Sequence, residues 1–344
     1  MVGEVGSPVI MGDELGKPMV SVCCITYNQR EYIEDALDSI LAQKTEFPFE
    51  LLIHDDASTD GTSDIIREYE KRYPEIIRAY IETSNQYHKM QSYLFGRFAQ
   101  ESRGKYVALC EGDDYWIDRS KLQKQVDYLE RHPDCSEICH GAWVVDATTG
   151  EKIGTMSPTA ESRVLTEREV LVNWGIPTAS RVYRRENLDE LVEKWKFRYW
   201  VGDYPSAVYS LTKGHFYCSS ELMSVYRYRS HASWSSALVN EDGEVENARN
   251  FLILLDNIDV CSDYRFHQYI VEAASVYVKI LLGRGCCDEK SRLFNEVNNS
   301  LDGVDRLKVA AKRLIWFLGF RVVADGWDEK AARRIVRRDK KQRC

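Results

Sequence analysis

The chain has 344 residues, of which 44% are hydrophobic and 29% charged, and its net charge is −8. This length is sufficient for one large or two modest domains, each with a buried core. No apolar run approaches the ~18 residues that a membrane helix needs. Residues 1–17 lack the pattern of a signal peptide, so we expect a flexible extension there. The ten cysteines are scattered, which favours reduced thiols in a cytoplasmic protein over a disulfide framework.

The first predicted strand is apolar and stops at Thr26, Tyr27 and Asn28. A helical pattern follows, with Asn28 as its predicted N-cap and Glu31 completing a capping box. No glycine-rich phosphate-binding loop lies between this strand and helix. Its absence argues against a dinucleotide oxidoreductase, a phosphate-loop hydrolase and a nucleotidyltransferase.

Strands and helices then alternate along the chain. Predicted strands cover residues 49–54 and 76–81, and the polar segment Asp55–Thr62 follows the first of them. A further helix, near 92–102, precedes a strand at Tyr106–Leu109. This alternation predicts a mostly parallel sheet with helices on both faces. Ligands bind at the carboxyl ends of such strands, so their polar ends should share one cleft.

Three carboxylates follow the strand at Tyr106–Leu109. Glu111 and Asp113 should point to the same side, with Asp114 beside them and Gly112 leaving room for a ligand. Converging carboxylates repel each other unless a cation lies between them, and Mg²⁺ or Mn²⁺ shared with substrate phosphates fits this chemistry. A solvated acidic turn is the alternative.

These segments together carry a family resemblance. The first strand to Asn28, the Asp55–Thr62 segment and the stretch Glu111–Trp116 resemble those of family 2 glycosyltransferases. The likeness extends over roughly residues 18–230. It implies a Rossmann-like GT-A fold and transfer of a sugar, with inversion, from a nucleotide diphosphate donor. UDP is the commonest nucleotide in the family.

The resemblance also implies site roles. The donor nucleotide would lie against Thr26, Tyr27 and Asn28, with Asp56 accepting a hydrogen bond from the base. Asp113 would bind the metal and the diphosphate, and Glu111 would face the ribose or the metal. The family more often has Asp at the position of Glu111. Taken with residues below, the implied donor and metal sites comprise Thr26, Tyr27, Asn28, Asp56, Glu111, Gly112, Asp113, Arg227 and His231.

The second half of the domain should supply a general base, because an acceptor hydroxyl loses a proton as it attacks. Asp203 is the best match: it follows an aromatic stretch and precedes an apolar helix pattern. Family members often have Glu-Asp here, whereas this chain has Gly202 before the acid. The alternative is that Asp203 is an N-cap.

Weaker signals lie nearby. Arg227 and His231 belong to a stretch that resembles the segment closing over the donor in relatives, and either one is a candidate contact for the diphosphate or the metal. Arg181 is a candidate for shaping the acceptor site, or a surface charge. The loop Asn85–His88 is a donor contact or a plain connection.

The C-terminal third has no chemical motif. Residues 235–243 are predicted to be a linker, so the catalytic domain would span 18–234 and a helical region 235–344. Residues 306–344 hold 13 Lys or Arg and 4 Asp or Glu, a net charge of +9, whereas residues 1–305 carry −17. An apolar group, 314–320, lies in this basic tail. Two interpretations stay open: an interfacial helix on an anionic membrane, or a helix packed on the protein.

The sequence thus predicts a metal-dependent glycosyltransferase with a glycan or lipid-linked acceptor, acting in cell-surface polysaccharide or glycolipid synthesis. It would be cytoplasmic, with peripheral membrane contact if the tail is interfacial. A nucleic-acid partner is not expected, because no recognition module accompanies the basic residues. A catalytically silent relative that binds sugars, nucleotides or partner proteins is the alternative.

Overall fold

The computed structural model describes residues 17–86, 91–197, 202–230, 241–286 and 289–309. It divides into two compact units. The first comprises residues up to 166 together with 175–233, and the second comprises Glu167–Trp174 and the chain from Trp234 onward.

The first unit is built on one ten-stranded sheet. Its strands are β1 (Val20–Thr26), β2 (Phe49–Asp55), β3 (Ile77–Ile81), β4 (Tyr106–Leu109), β5 (Tyr115–Trp116), β6 (Cys135–Asp146), β7 (Lys152–Met156), β8 (Arg163–Val164), β9 (Val182–Arg184) and β10 (His215–Tyr228). The order is β3-β2-β1-β4-β9-β6-β10-β5, with β7 on β6 and β8 on β10. Strands β3, β2, β1 and β4 are mutually parallel.

Helices of the first unit connect these strands. They are α1 (Ile33–Leu41), α2 (Thr62–Arg72), α3 (Gln91–Glu101), α4 (Lys121–Arg131), α6 (Arg185–Lys194) and α7 (Asp203–Lys213), and α5 (Glu167–Leu171) belongs to the second unit. The apolar face of α1 is buried as its 3.6-residue pattern predicts: Ile33, Ala36, Leu37, Ile40 and Leu41. The predicted α/β fold with a mostly parallel central sheet is confirmed.

The parallel register places the carboxyl ends of β1, β2 and β4 at one edge of the sheet. Thr26 pairs with Asp55 across β1 and β2. Beyond β4, the amide of Gly112 donates to the carbonyl of Ile25 at 2.9 Å, which continues the β1–β4 alignment. The carboxyl ends of β1, β2 and β4 therefore meet, as the sequence predicts.

The second unit is helical. After α5, its long helices are α8 (Glu241–Cys261), α9 (His267–Gly283) and α10 (Arg292–Ser300). The linker predicted for 235–243 is too long at its C-terminal end, because α8 begins at Glu241. The apolar group at 314–320 lies outside the described residues. Among the helices that are described, none is long and apolar enough to span a bilayer.

Candidate active site

Gly112 is closely surrounded at the ends of β1 and β4. A methyl group on Gly112 would lie 2.7 Å from Thr26 Oγ1 and 2.5 Å from Gln29 Oε1. Both of these oxygen atoms are buried and have no hydrogen-bond partner within the described part of the chain. Two polar atoms therefore occupy the space that a side chain at Gly112 would need, so this close packing requires glycine; room for a ligand at Gly112 stays a prediction.

Asn28 joins the first strand end to the loop after β2. Its backbone is in the left-handed region, with φ of 51°. Its Oδ1 accepts a hydrogen bond from the Thr59 amide at 2.8 Å, and its own amide donates to Ser58 Oγ at 2.8 Å. The predicted N-cap role is wrong, since α1 begins at Ile33. Asn28 instead fixes the loop beneath Tyr27, whose exposed fraction is 37%.

Asp56 lies beside Thr26 at the end of β2. Its amide donates to the Thr26 carbonyl at 3.0 Å, and its side chain is almost fully buried. Oδ1 accepts a hydrogen bond from the Gln86 amide at 2.6 Å, and Asn85 Nδ2 donates to the Asp56 carbonyl at 3.4 Å. The polar loop after β3 therefore packs against Asp56 through residues 85 and 86, while residues 87 and 88 lie outside the described chain.

The acidic turn concentrates three carboxyl groups at the end of β4. Burial, together with the charges of Asp113 and Asp203, raises the pKa of Glu111 to about 8. Burial also raises the pKa of Asp113, and that of Asp114 well above its usual range, with neighbouring carboxylates adding to the effect on Asp114. These shifts mean that the ionised carboxylates are disfavoured here, because the described groups around them do not offset the lost hydration and the mutual repulsion.

Two residues from the end of β10 support this turn. Ser230, fully buried, donates its hydroxyl to Asp113 Oδ2 at 2.5 Å. The Arg227 amide donates to Asp114 Oδ1 at 3.0 Å, and its guanidinium donates to the Asp113 carbonyl at 2.8 Å and to Asp35. The sequence did not single out Ser230, although it lies between Arg227 and His231 in the stretch that resembles the donor-closing segment of relatives.

The guanidinium of Arg227 is also held between aromatic rings. Its carbon lies 4.5 Å from the centre of the Tyr115 ring and 5.0 Å from that of Tyr32. The arginine predicted to contact the donor diphosphate is therefore adjacent to Asp113, and its hydrogen bonds go to the protein. In this arrangement it orders the acidic turn.

Some buried oxygen atoms near this edge are of the kind that bind a divalent cation. Asp114 Oδ2 is buried without a partner in the described chain, like the oxygen atoms of Thr26 and Gln29. Carboxylate, hydroxyl and amide oxygen atoms are the donors that Mg²⁺ and Mn²⁺ prefer. Within the described residues, no group of three His, Cys, Asp or Glu side chains could hold a metal by itself. His231, the third predicted ligand, lies outside them.

Asp203 begins α7 and faces the acidic turn. Thr178, in the short 3₁₀ turn Thr178–Ser180, donates its hydroxyl to Asp203 Oδ2 at 3.5 Å. Burial raises the pKa of Asp203. The charge of Asp203 also contributes to the raised pKa of Glu111, so the two carboxylates predicted from separate motifs lie near each other. Thr178 had no signal of its own in the sequence.

A hydrogen bond joins the 3₁₀ turn to the strand that follows the acidic turn. Trp116 Nε1 donates to the Ala179 carbonyl at 2.8 Å. Arg181, which follows the 3₁₀ turn, is fully buried and forms an ion pair with Glu137, so it is not a surface charge. The described geometry therefore joins the acidic turn, the 3₁₀ turn and Asp203 into one arrangement.

The comparisons with known proteins agree with this architecture. The model of glycosyl transferase family 2 matches residues 21–192, half of the chain. An uncharacterized protein of Mycobacterium tuberculosis (strain ATCC 25618 / H37Rv) is 36% identical over 268 residues, 77% of this chain and 75% of that protein. The chain belongs to glycosyl transferase family 2, and this membership supports the predicted transferase class.

Two further similarities concern shorter or more distant matches. The Escherichia coli UDP-Glc:alpha-D-GlcNAc-diphosphoundecaprenol beta-1,3-glucosyltransferase WfaP is 30% identical over 112 residues, 33% of this chain and 41% of that protein. The crystal structure of S. aureus TarS in complex with UDP-GlcNAc superimposes with a TM-score of 0.52 at 16% identity. That alignment covers 87% of this chain and 92% of the TarS chain, and it supports the GT-A fold.

Proposed function

We propose that this protein is an inverting, divalent-cation-dependent hexosyltransferase. It would move a sugar from a UDP-sugar to a hydroxyl of a glycan or lipid-linked acceptor, in cell-surface polysaccharide or glycolipid synthesis. The observation that carries the proposal is the group of buried carboxyls at the carboxyl edge of the sheet, where Asp113 and Asp203 lie close enough to Glu111 for their charges to raise its pKa. The names of WfaP and of the TarS complex support a uridine nucleotide donor, and WfaP supports a lipid-linked acceptor.

The donor half of the site would be formed by the first part of the chain. Thr26, Tyr27 and Asn28 would border the nucleoside, and Asp56 would accept from the base. Gly112 would let the diphosphate approach the acidic turn. Asp113, with Glu111, would hold Mn²⁺ or Mg²⁺, and the cation would stabilise negative charge on the leaving nucleotide.

Asp203 would act on the acceptor. Its carboxylate takes the proton of the acceptor hydroxyl while that oxygen attacks the anomeric carbon from the face opposite the nucleotide. The bond from the anomeric carbon to the diphosphate oxygen breaks, and the nucleotide diphosphate leaves with the electron pair. One displacement of this kind inverts the anomeric configuration.

The test begins with binding. Thermal unfolding is measured with UDP, GDP, CDP or dTDP, each with and without Mn²⁺. A nucleotide at ~100 times its Kd should add about 2.7 kcal/mol of stability. We expect a metal-dependent shift for UDP, lost in Asp113→Asn and kept in the control Asp127→Asn, an exposed position on α4. A cooperative unfolding transition with no nucleotide shift would contradict the proposal.

Turnover then separates an enzyme from a silent relative. UDP release is followed with UDP-glucose and UDP-N-acetylglucosamine, first with water as acceptor and then with a polyprenyl-diphosphate sugar. Asp203→Asn should abolish release while keeping the UDP-induced shift. Nucleotide binding without release by the wild-type protein, with either acceptor, would favour the silent relative.

We also propose that the basic tail contacts an anionic membrane surface, which would place the enzyme near a lipid-linked acceptor. The net charge of +9 over residues 306–344 supports this proposal. Co-sedimentation with phosphatidylglycerol vesicles should decrease with added salt and disappear when the chain ends at residue 309. Equal sedimentation with neutral phosphatidylcholine vesicles would contradict it.

A further inference from the structure

A buried ion pair lies behind the candidate base. Arg181 and Glu137 both have fully buried side chains, and Arg181 Nε donates to the Glu137 carboxylate. Such a pair is a poor stabilising device, because desolvating two charges offsets most of their attraction and apolar residues of the same volume are often as stable. Stability therefore does not explain why the pair is there, and Arg181 has further contacts.

Those contacts converge on the first turn of α7. Arg181 Nη1 donates to the carbonyl of Asp203 at 2.6 Å, and Nη2 donates to Ser206 Oγ at 3.0 Å. The Ser206 hydroxyl in turn donates to the same Asp203 carbonyl at 2.9 Å. The backbone of Asp203 is therefore held by two donors, and the planar guanidinium fixes the angle between them.

The same short segment also holds the Asp203 side chain. Thr178 donates to its carboxylate, and the Arg181 amide donates to the Thr178 carbonyl at 3.2 Å. One turn, residues 178–181, thus contacts Asp203 through both its backbone and its carboxylate. Glu137 lies on β6, a neighbour of β9 in the sheet, so the pair anchors this turn to the rigid core.

We propose that Arg181, oriented by Glu137, is a positioning residue that sets where the Asp203 carboxylate meets the acceptor hydroxyl. The inference rests on the proposed function, because it assigns a task to the proposed base. Proton transfer needs the carboxylate within hydrogen-bond reach of the hydroxyl. A displacement of ~1 Å lowers turnover on the order of 100-fold.

The test removes both charges together. The double variant Arg181→Met with Glu137→Gln leaves no lone charge in the core, which single substitutions would do. Arg184→Met is the matched control: Arg184 ends β9, the strand that directly follows Arg181, and donates instead to the carbonyls of Cys135 and Leu129. Each variant is compared with wild type in kcat for UDP release, in KM for the sugar donor, and in the UDP-induced thermal shift.

The positioning role predicts a division between binding and turnover. In the double variant kcat should fall ~10- to 100-fold, while KM for the donor and the UDP-induced shift stay at wild-type values. Arg184→Met should lower the unfolding temperature and leave kcat unchanged. A folded double variant with wild-type kcat would overturn the proposal. If the double variant does not fold, Ser206→Ala decides in the same way, because it removes the second donor to the Asp203 carbonyl.

Asp203→Asn separates this inference from the proposed function. Wild-type turnover by Asp203→Asn would refute Asp203 as the base, and the role of Arg181 would fall with it. Loss of turnover in Asp203→Asn, with full turnover in the folded double variant, would refute the role of Arg181 alone.

Discussion

Replacing Glu111 by Gln should stabilise the metal-free protein at alkaline pH. Burial, then the charges of Asp113 and Asp203, raises the pKa of this carboxyl from 4.5 to about 8. At about 1.36 kcal/mol per pKa unit, that difference corresponds to a ceiling of ~5 kcal/mol. Glu111 is partly exposed, so solvent screening lowers the expected gain to ~2 kcal/mol.

The pH window follows from the sign of the shift. Between pH 4.5 and about 8 the Glu111 carboxyl is ionised in the unfolded chain and still protonated in the folded one. The folded state therefore binds more protons, and its stability decreases as pH rises through this window. Below pH 4.5 the contribution is absent, and above about 8 it is complete. Glutamine does not ionise, so the stability gain of Glu111→Gln should grow over the same window.

Urea unfolding at pH 5 and pH 8 in EDTA measures this gain. The control is Glu31→Gln, which changes one glutamate at an exposed position. Glu111→Gln should be nearly as stable as wild type at pH 5 and about 2 kcal/mol more stable at pH 8. Equal gains at both pH values, or no gain at pH 8, would refute the raised pKa of Glu111 as the source of the stability difference.

Three further outcomes are expected. Gly112→Ala would place a methyl group 2.7 Å from Thr26 Oγ1, so calorimetry should show a loss of ~1–3 kcal/mol from overpacking and a smaller UDP-induced shift. Arg227→Lys removes a planar donor from the acidic turn, and titration calorimetry should detect weaker UDP binding; unchanged affinity would contradict this. The hydrogen bond to Asp259 raises the pKa of His267, so its stabilising contribution is complete below pH 6.5 and lost as pH rises through the raised value. Urea midpoints of wild type and His267→Gln should therefore differ at pH 6 and converge at pH 9.

The sheet and the donor edge follow from local patterns in the sequence. Each of β1, β2 and β4 is a short apolar run with polar residues at its carboxyl end, and parallel pairing brings those ends together whatever the loops do. Thr26, Asp56 and Gly112 could therefore be placed before the structure was known. Their convergence depends on strand direction, which the alternation with helices determines.

Residues with distant partners were harder to predict. Asn28 matched a capping pattern, yet its side chain bonds to Thr59, 31 residues away. Arg181 stayed ambiguous because its partner Glu137 is 44 residues away and no periodicity links them. The contacts of Arg227 with Asp35 and Asp113, which are 192 and 114 residues away, had no signal in the sequence either. Side-chain contacts between remote segments leave no local pattern in the sequence.

The position of β9 has a consequence for the chain during its synthesis. β9 pairs antiparallel with β4, and Tyr106 and Arg184, which face each other in that pairing, are 78 residues apart. At ~5–20 residues per second, a ribosome needs about 4–16 s to make the strand that covers this edge. Until then β4 has an unpaired edge that other chains can join. Slower translation after residue 109 should therefore reduce the soluble yield.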